Sequence, residues 1–559
     1  MFNRGGGRKH DDIWRYFKKS VTFGKTGCRA TCISCNKEMQ GLVKRMKDHF
    51  EACQGNGESA VVGSSQPTAP VASSQPTAPL EPATKKRKFS ESVGNYFTKT
   101  TESEKKALDL QVARTIFATN SSFNFAYHPE FIKLCSMLRP GYHPPSPRAV
   151  GTTLLDEVHE DAFASCKEKV KGKVVSMELD GWSNIHHEPI VCCSITTHEG
   201  DTFLTSTIDT GDERHTGDNL EVIAEKAIKQ VEENLECTVS SFVTDNASNM
   251  KKCRNQLQDA QPIITYPCSA HILDRLAKDV DTSNIKSDIV TIAKYFRNHH
   301  LPNAWYKQEG GKKLQIPCDV RWNSVSDCFQ GYLDNWATLV KVAEAHRDEI
   351  DPNIYEKVLD MDLKHQAMEY QAKMKPIAIA LDKLQRNNCH LSDAVVIWKG
   401  LQETFEGLPV TDLMKLDSRL STALTPAHLL AYLLDPRYYE SPHLTNEEIS
   451  TAMKYLSEHQ PSALHAVIKY RAKSSPFESY MFTPELLKKI DPLTWWKSQA
   501  SLLDENILSL VEQLHTARAS TAGIERIFST FGFVHSKIRN RLQTDKAAKL
   551  VFMYKLFNM

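Results

Sequence analysis

At 559 residues the chain has room for several domains, and 41% apolar content supplies enough side chains for a large buried core. Charged residues at 25% are ordinary for a globular protein. No apolar run is long enough to span a bilayer, and residues 1–19 are polar and basic, so an intracellular, non-membrane protein is expected.

The 14 cysteines are mostly isolated, as Cys135, Cys237 and Cys389 are, and read as reduced thiols rather than a disulfide framework. The net charge of +1 hides a division: residues 1–53 hold 12 Lys/Arg against 5 Asp/Glu, a local +7 that leaves −6 for the rest. Such an excess suits a polyanion, because neutralised phosphates release counterions. A solvated basic surface has the same composition, so charge alone does not separate the two.

The first element to carry chemistry lies in residues 1–54. Cys32 and Cys35 are separated by two residues, His49 and Cys53 by three, and thirteen lie between the pairs. Tetrahedral zinc needs four N/S donors converging on one point. A C-x2-C knuckle supplies two thiolates, and His and Cys at i and i+4 share one helix face. Residues 41–50 are predicted to be that helix, with Lys44, Arg45 and Lys47 turned to phosphate and Trp14 and Phe17 covering the knuckle. The competing reading, two unrelated buried pairs, leaves a domain of about 50 residues without a staple. Cys28 is an alternative ligand at a less usual spacing. The pattern resembles a BED-type zinc finger, which shares such upstream aromatics.

Residues 55–90 read as a disordered linker. Ser-Ser-Gln-Pro-Thr-Ala-Pro occurs twice there, at 64–70 and 73–79, and the stretch is too poor in apolar bulk to fold. It ends near Lys85-Lys86-Arg87-Lys88, a basic run of the kind nuclear import receptors read, so a nuclear address is expected. Residues 91–165 are predicted helical, with a break at Pro140–Pro147.

Residues 166–275 change texture. Val175, Met177 and Leu179 alternate as in a strand, and β-rich runs follow at 190–197 and 202–208 around a turn at His198–Asp201. Asp218 and Glu221 form a candidate capping box for a helix that buries Ala224, Ala227, Ile228, Val231 and Leu235. A fourth strand at 239–244, a helix at 247–257 and a short strand at 263–266 complete the run. From 276 to 505 the strand signal vanishes, and 283–300, 330–349, 353–386 and 421–434 read as helices. In 506–559, apolar stripes (Ile507, Leu510, Val511, Leu514; Ile524, Ile527, Phe528, Phe531) precede a last helix from about Asp545.

Asp180 closes the first strand of this series and Asp245 the fourth. If those strands are neighbours, both carboxylates emerge at one edge, where like charges repel unless a cation lies between them. Magnesium suits such oxygen donors; a pair of ions would activate an attacking oxygen and stabilise a leaving one at phosphorus. Glu525, bordering the Ile524/Ile527/Phe528/Phe531 stripe, is the candidate third carboxylate. Taken singly, each of these residues has an ordinary capping or surface role.

The order of elements and the motifs together resemble the hAT transposase superfamily. The matching residues are Leu179-Asp180-Gly181-Trp182, Val243-Thr244-Asp245-Asn246, Pro267-Cys268-Ser269-Ala270-His271, Asp319-Val320-Arg321-Trp322-Asn323, Leu434-Asp435-Pro436-Arg437-Tyr438, Trp495-Trp496, Glu525-Arg526-Ile527-Phe528-Ser529 and Arg539-Asn540-Arg541-Leu542. The resemblance implies an α/β plus all-α chain: an RNase H-like mixed-sheet core, a helical insertion at 276–505 and a dimerisation region over about 480–559. It further implies a catalytic triad of Asp180, Asp245 and Glu525 with Mg²⁺ or Mn²⁺, double-stranded DNA as partner, and a homo-oligomer. His271 and Arg321 become phosphate contacts and Trp322 a platform for a flipped base while flanking DNA closes into a hairpin. The chain departs from many relatives in having Gly523-Ile524 where they have two serines. Three readings follow: an active transposase, a domesticated and catalytically silent DNA-binding regulator, and a zinc-finger adaptor that binds only proteins.

Overall fold

The computed structural model describes residues 12–20, 29–40, 42–54, 100–211, 213–280, 285–318, 323–439, 443–536 and 539–559. They fall in two compact units, Met1–Ser90 and Glu91–Met559.

In the first unit, β1 (Phe17–Ser20), β2 (Arg29–Cys32) and β3 (Glu38–Gln40) form an antiparallel sheet. The turn between β2 and β3 passes through Asn36 at φ 57°, a left-handed conformation that Asn tolerates. The helix that follows runs Val43–Gln54, four residues beyond the predicted end, and so carries both His49 and Cys53. Its core is small: Ile13, Phe17, Ala30, Cys32 and Met46 are buried, with Trp14 and Phe50 packed around them.

The second unit is built on a five-stranded sheet: β4 (Val174–Ser183), β5 (Pro189–Thr197), β6 (Thr202–Asp209), β7 (Thr238–Thr244) and β8 (Ile264–Pro267). The order is β6-β5-β4-β7-β8. β4 pairs antiparallel with β5 and parallel with β7, which pairs parallel with β8. The β5–β6 turn needs Gly200: its φ is +98°, and a Cβ there would meet the Asn387 carbonyl oxygen at 3.0 Å. The alternation in β4 predicts one buried face. Both faces are buried, because helices Glu505–Thr516 and Ala522–Val534 return from the end of the chain to pack on the strand. Ser176 and Glu178 are covered along with Val175, Met177 and Leu179.

The helix after β6 spans Gly217–Leu235 and is capped by Thr216, whose side chain accepts the Asn219 N–H. The expected Asp218/Glu221 box is not used. Asp218 lies in the first turn and pairs with Lys252 at 2.6 Å.

Beyond β8 no further strand occurs among the described residues, apart from a bridge between His390 and Arg518. Two predicted helices are each split. Residues 353–386 divide at Asp360, which caps Met361–Leu384 by accepting the Asp362 and Leu363 N–H groups. Residues 421–434 divide into Val410–Ala423 and Pro426–Leu433, because Pro426 opens a new helix.

The C-terminal stripes close the chain's own interior. Ile507, Leu510, Val511 and Leu514 join the core of the helical region, while Ile524, Ile527 and Phe531 join the core of the sheet. No described helix is long and apolar enough to cross a membrane.

Candidate functional site

Because β4 and β7 are parallel neighbours whose last registered pair is Glu178 with Val243, Asp180 and Asp245 stand level two residues further on. Strand spacing of about 4.8 Å sets their separation at the backbone. Asp180 accepts the Gly181 N–H at 2.8 Å and Asp245 that of Ala247 at 3.0 Å. The loop after β7 is clamped by Arg254, a buried guanidinium that donates to the Thr244 hydroxyl, the Asp245 carbonyl and Asn246 Oδ1.

Glu525 arrives from the first turn of helix Ala522–Val534, and the structure brings it to the same edge. Burial pushes Asp180 up to about 6, with His271 opposing and the Asp245 charge adding. Burial also lifts Glu525 to about 7, with His271 opposing and Asp180 adding. Two carboxyls thus carry a cost of ionisation that a nearby positive charge relieves.

One such charge is His271. It lies in the first turn of helix Ser269–Val280, with Nδ1 3.9 Å from Glu525 Oε1. Burial would depress it, but the Cys268 sulfur and the Glu525 and Asp180 carboxylates outweigh burial and hold it well above the usual imidazole range. Cys268 itself is buried, and its sulfur accepts the Thr521 N–H and hydroxyl, both at 3.3 Å. The Cys-x-x-His element therefore ties the end of β8 to the start of the Glu525 helix.

Sequence reasoning missed Glu178. It is 1% exposed and accepts the Thr196 hydroxyl at 2.8 Å, the Ser194 hydroxyl at 3.2 Å and the Ile524 N–H at 2.7 Å. A Cβ at Gly523 would lie 2.7 Å from both carboxylate oxygens. The departure from paired serines thus has a physical reason: glycine lets the helix carrying Glu525 come down onto a carboxyl group. The signal was Glu178 itself, an acidic residue inside a run of strand-forming apolar side chains.

The finger gathers its donors more tightly. The ligand atoms of Cys32, Cys35, His49 and Cys53 all lie within 4.8 Å of one another. Tetrahedral zinc with bonds near 2.3 Å spaces its sulfurs about 3.8 Å apart, so the set fits. Burial raises Cys32, yet the Cys35 and Ser34 backbone N–H groups and contacts with His49 outweigh it and bring the thiol down to about 6. Cys53 is pushed up to about 11 by hydrogen bonding with Cys35 and by burial. Among the described residues this is the one cluster of three or more such donors close enough to hold an ion as it stands; the sheet-edge carboxylates are a looser set. Phe17 meets the His49 ring edge-on at 6.1 Å. On the helix, Met46 is buried while Lys44, Arg45 and Lys47 are exposed.

Arg321 and Trp322 lie outside the described residues, as do Cys28 and the basic run 85–88. Other matching motifs are structural. Asp435 is fully buried and paired with Arg437 at 2.6 Å, and the indoles of Trp495 and Trp496 donate to the Met481 and Leu434 carbonyls.

The second unit is thus a mixed sheet interrupted by a helical region, with an acidic edge closed by a helix from the far end of the chain. Two family models match: the hAT family C-terminal dimerisation region over residues 476–557, and a domain of unknown function, DUF659, over residues 145–296. The first holds Glu525 and the second holds Asp180, Asp245 and His271. No curated protein matches the chain. The chain carries the hAT family's C-terminal dimerisation region, which supports a homo-oligomer.

Proposed function

We propose that the protein is a hAT-type DNA transposase, in which a zinc-held BED-type finger binds duplex DNA and an RNase H-like core cuts and joins strands at Asp180, Asp245 and Glu525. The observation that carries this reading is the convergence of three carboxyl groups, the third from a segment 280 residues beyond the second, at one end of adjacent parallel strands. The strand order β6-β5-β4-β7-β8, three antiparallel and then two parallel, supports the RNase H-like assignment.

A divalent cation bound at this edge supplies activation of the attacking oxygen and stabilisation of the leaving one. Asp180, Asp245 and Glu525 would hold it. The raised ionisation costs of Asp180 and Glu525 favour a bound cation, and both deprotonate more readily once it is present. His271, kept protonated by the Cys268 sulfur and the Glu525 and Asp180 carboxylates, offers a positive charge to a scissile or flanking phosphate. Lys44, Arg45 and Lys47 present charge to the DNA backbone from the finger helix. Arg321 and Trp322 complete the hairpin step with a phosphate contact and a stacking platform. The nucleus, addressed through residues 85–88, is the compartment where this chemistry has its substrate.

The test uses the full chain with Mn²⁺ or Mg²⁺ and duplexes bearing the sequences that flank its own coding region. Wild type should cleave them, and Asp180→Asn should lose cleavage by several orders of magnitude while binding as well. Equal cutting by the two proteins would refute the triad.

A further inference from the structure

A groove with a volume of about 960 Å³ lies between residues 122–124, residues 147–152 and the segment 539–546. Its lining contains Arg148, Arg539, Arg541 and Lys546 and no acidic residue. We propose that this groove is a second phosphate-binding surface, taking the backbone of duplex DNA beside the acidic edge; the choice of DNA rests on the function proposed above.

None of the four cations is in an ion pair among the described residues. Arg148 and Arg541 are exposed. Arg539 donates to the Asn120 carbonyl at 2.9 Å and to Asn120 Oδ1, and Lys546 donates to the Gly151 carbonyl at 2.9 Å. These partners are neutral and fix the two side chains in place. One turn further along the same helix, Lys549 pairs with Asp156 at 2.6 Å, and the same carboxylate acts on Lys546 from further off, so the uncancelled charge in the wall is that of Arg148, Arg539 and Arg541. The aromatic side chain of the lining, Phe123, packs edge-on against Phe117 at 6.3 Å, so the wall offers cations rather than a stacking platform.

Position links the groove to the site. The backbone carbonyl of Asn540, in the groove wall, contacts His186 Nε2 at 3.0 Å. His186 lies three residues beyond the end of β4, the strand that carries Asp180. Cations lining one groove suit the phosphates of a strand, and each contact releases counterions.

The experiment is a salt titration of full-chain binding to a labelled duplex of arbitrary sequence, comparing wild type with Arg148→Ala/Arg541→Ala. Each phosphate contact contributes about 0.9 to the slope of log K against log salt, so the variant should bind more weakly at low salt with a slope shallower by about 2. The same drop should appear when both proteins carry Cys35→Ser in the finger. Arg148→Lys/Arg541→Lys should keep the wild-type slope. An unchanged slope in the alanine variant, or a loss that the lysine variant shares, would overturn the proposal. Equal or tighter arginine-dependent binding of an RNA duplex would overturn the DNA assignment. A slope that falls in a protein unable to cleave would leave the groove standing and remove the nuclease; cleavage with an unchanged slope would do the reverse.

Discussion

The finger gathers four donors around a core of five buried apolar side chains, whereas the sheet edge sets three carboxyl groups on a core that is complete without them. Both place acidic groups together, and in both burial and hydrogen bonding shift their ionisation. The difference lies in what a cation would do. In the finger, bound zinc would supply folding energy that so small a core cannot. At the sheet edge the fold stands without an ion, and under the proposed function a cation would serve the chemistry.

The largest expected effect follows directly. Chelation of zinc, or Cys35→Ser, removes a binding energy on the order of 10 kcal/mol from the finger. Amide exchange in residues 29–54 should then become fast while protection across β4–β8 stays intact. Loss of protection in both units together would break the distinction.

Next in size is a pH effect confined to the second unit. The folded values of Asp180 and Glu525, about 6 and about 7, stand above unfolded carboxyl values near 4. The folded state therefore binds these protons more tightly. Their contribution is full below about pH 4 and is lost as pH rises to about 7, costing on the order of a few kcal/mol. His271 is raised, so its contribution persists through that window. Thermal melts without divalent metal should show Tm falling from pH 4.5 to 7, with Asp180→Asn flattening the fall. A Tm that rises over that range would contradict the burial of these groups as charged liabilities.

A smaller effect concerns Gly523. Adding a methyl group there forces the Glu178 carboxyl to move, at about 1–3 kcal/mol. Gly523→Ala should cost less in a Glu178→Ala background, a coupling that denaturant midpoints of the four proteins would reveal. Additive costs would show that the two residues do not meet. The smallest effect is expected in the finger helix, where Lys44→Ala and Arg45→Ala should each reduce the salt slope of DNA binding by about 0.9 with no loss of stability.

Much of the sheet was legible because its strands are short apolar runs divided by turn residues, and Asp245, just past β7, announced an edge; Asp180 does not close its strand, because β4 runs on to Ser183 in pairing with β5. Glu178 was not legible as a buried group. A strand with one apolar face reads as half-exposed, and the other side is covered by helices that return from the end of the chain, the one from residue 522 meeting Glu178 itself. Arg254 was missed for a similar reason, since its partners are the backbone and hydroxyl groups of the loop it clamps. Thr216 displaced Asp218 as the cap because Lys252, 34 residues on, engages the aspartate. The C-terminal stripes were ambiguous between partner and self, and the core of the same chain absorbs them.

The most direct test of the acidic edge is binding of Mn²⁺ to the zinc-loaded full chain, followed by paramagnetic resonance. Wild type should hold Mn²⁺ beyond the zinc in the finger, and Asp180→Asn and Glu525→Gln should each weaken that binding at least about tenfold, a loss of about 1.4 kcal/mol. Manganese affinity that is unchanged in both variants would mean that these carboxyl groups do not act as one site.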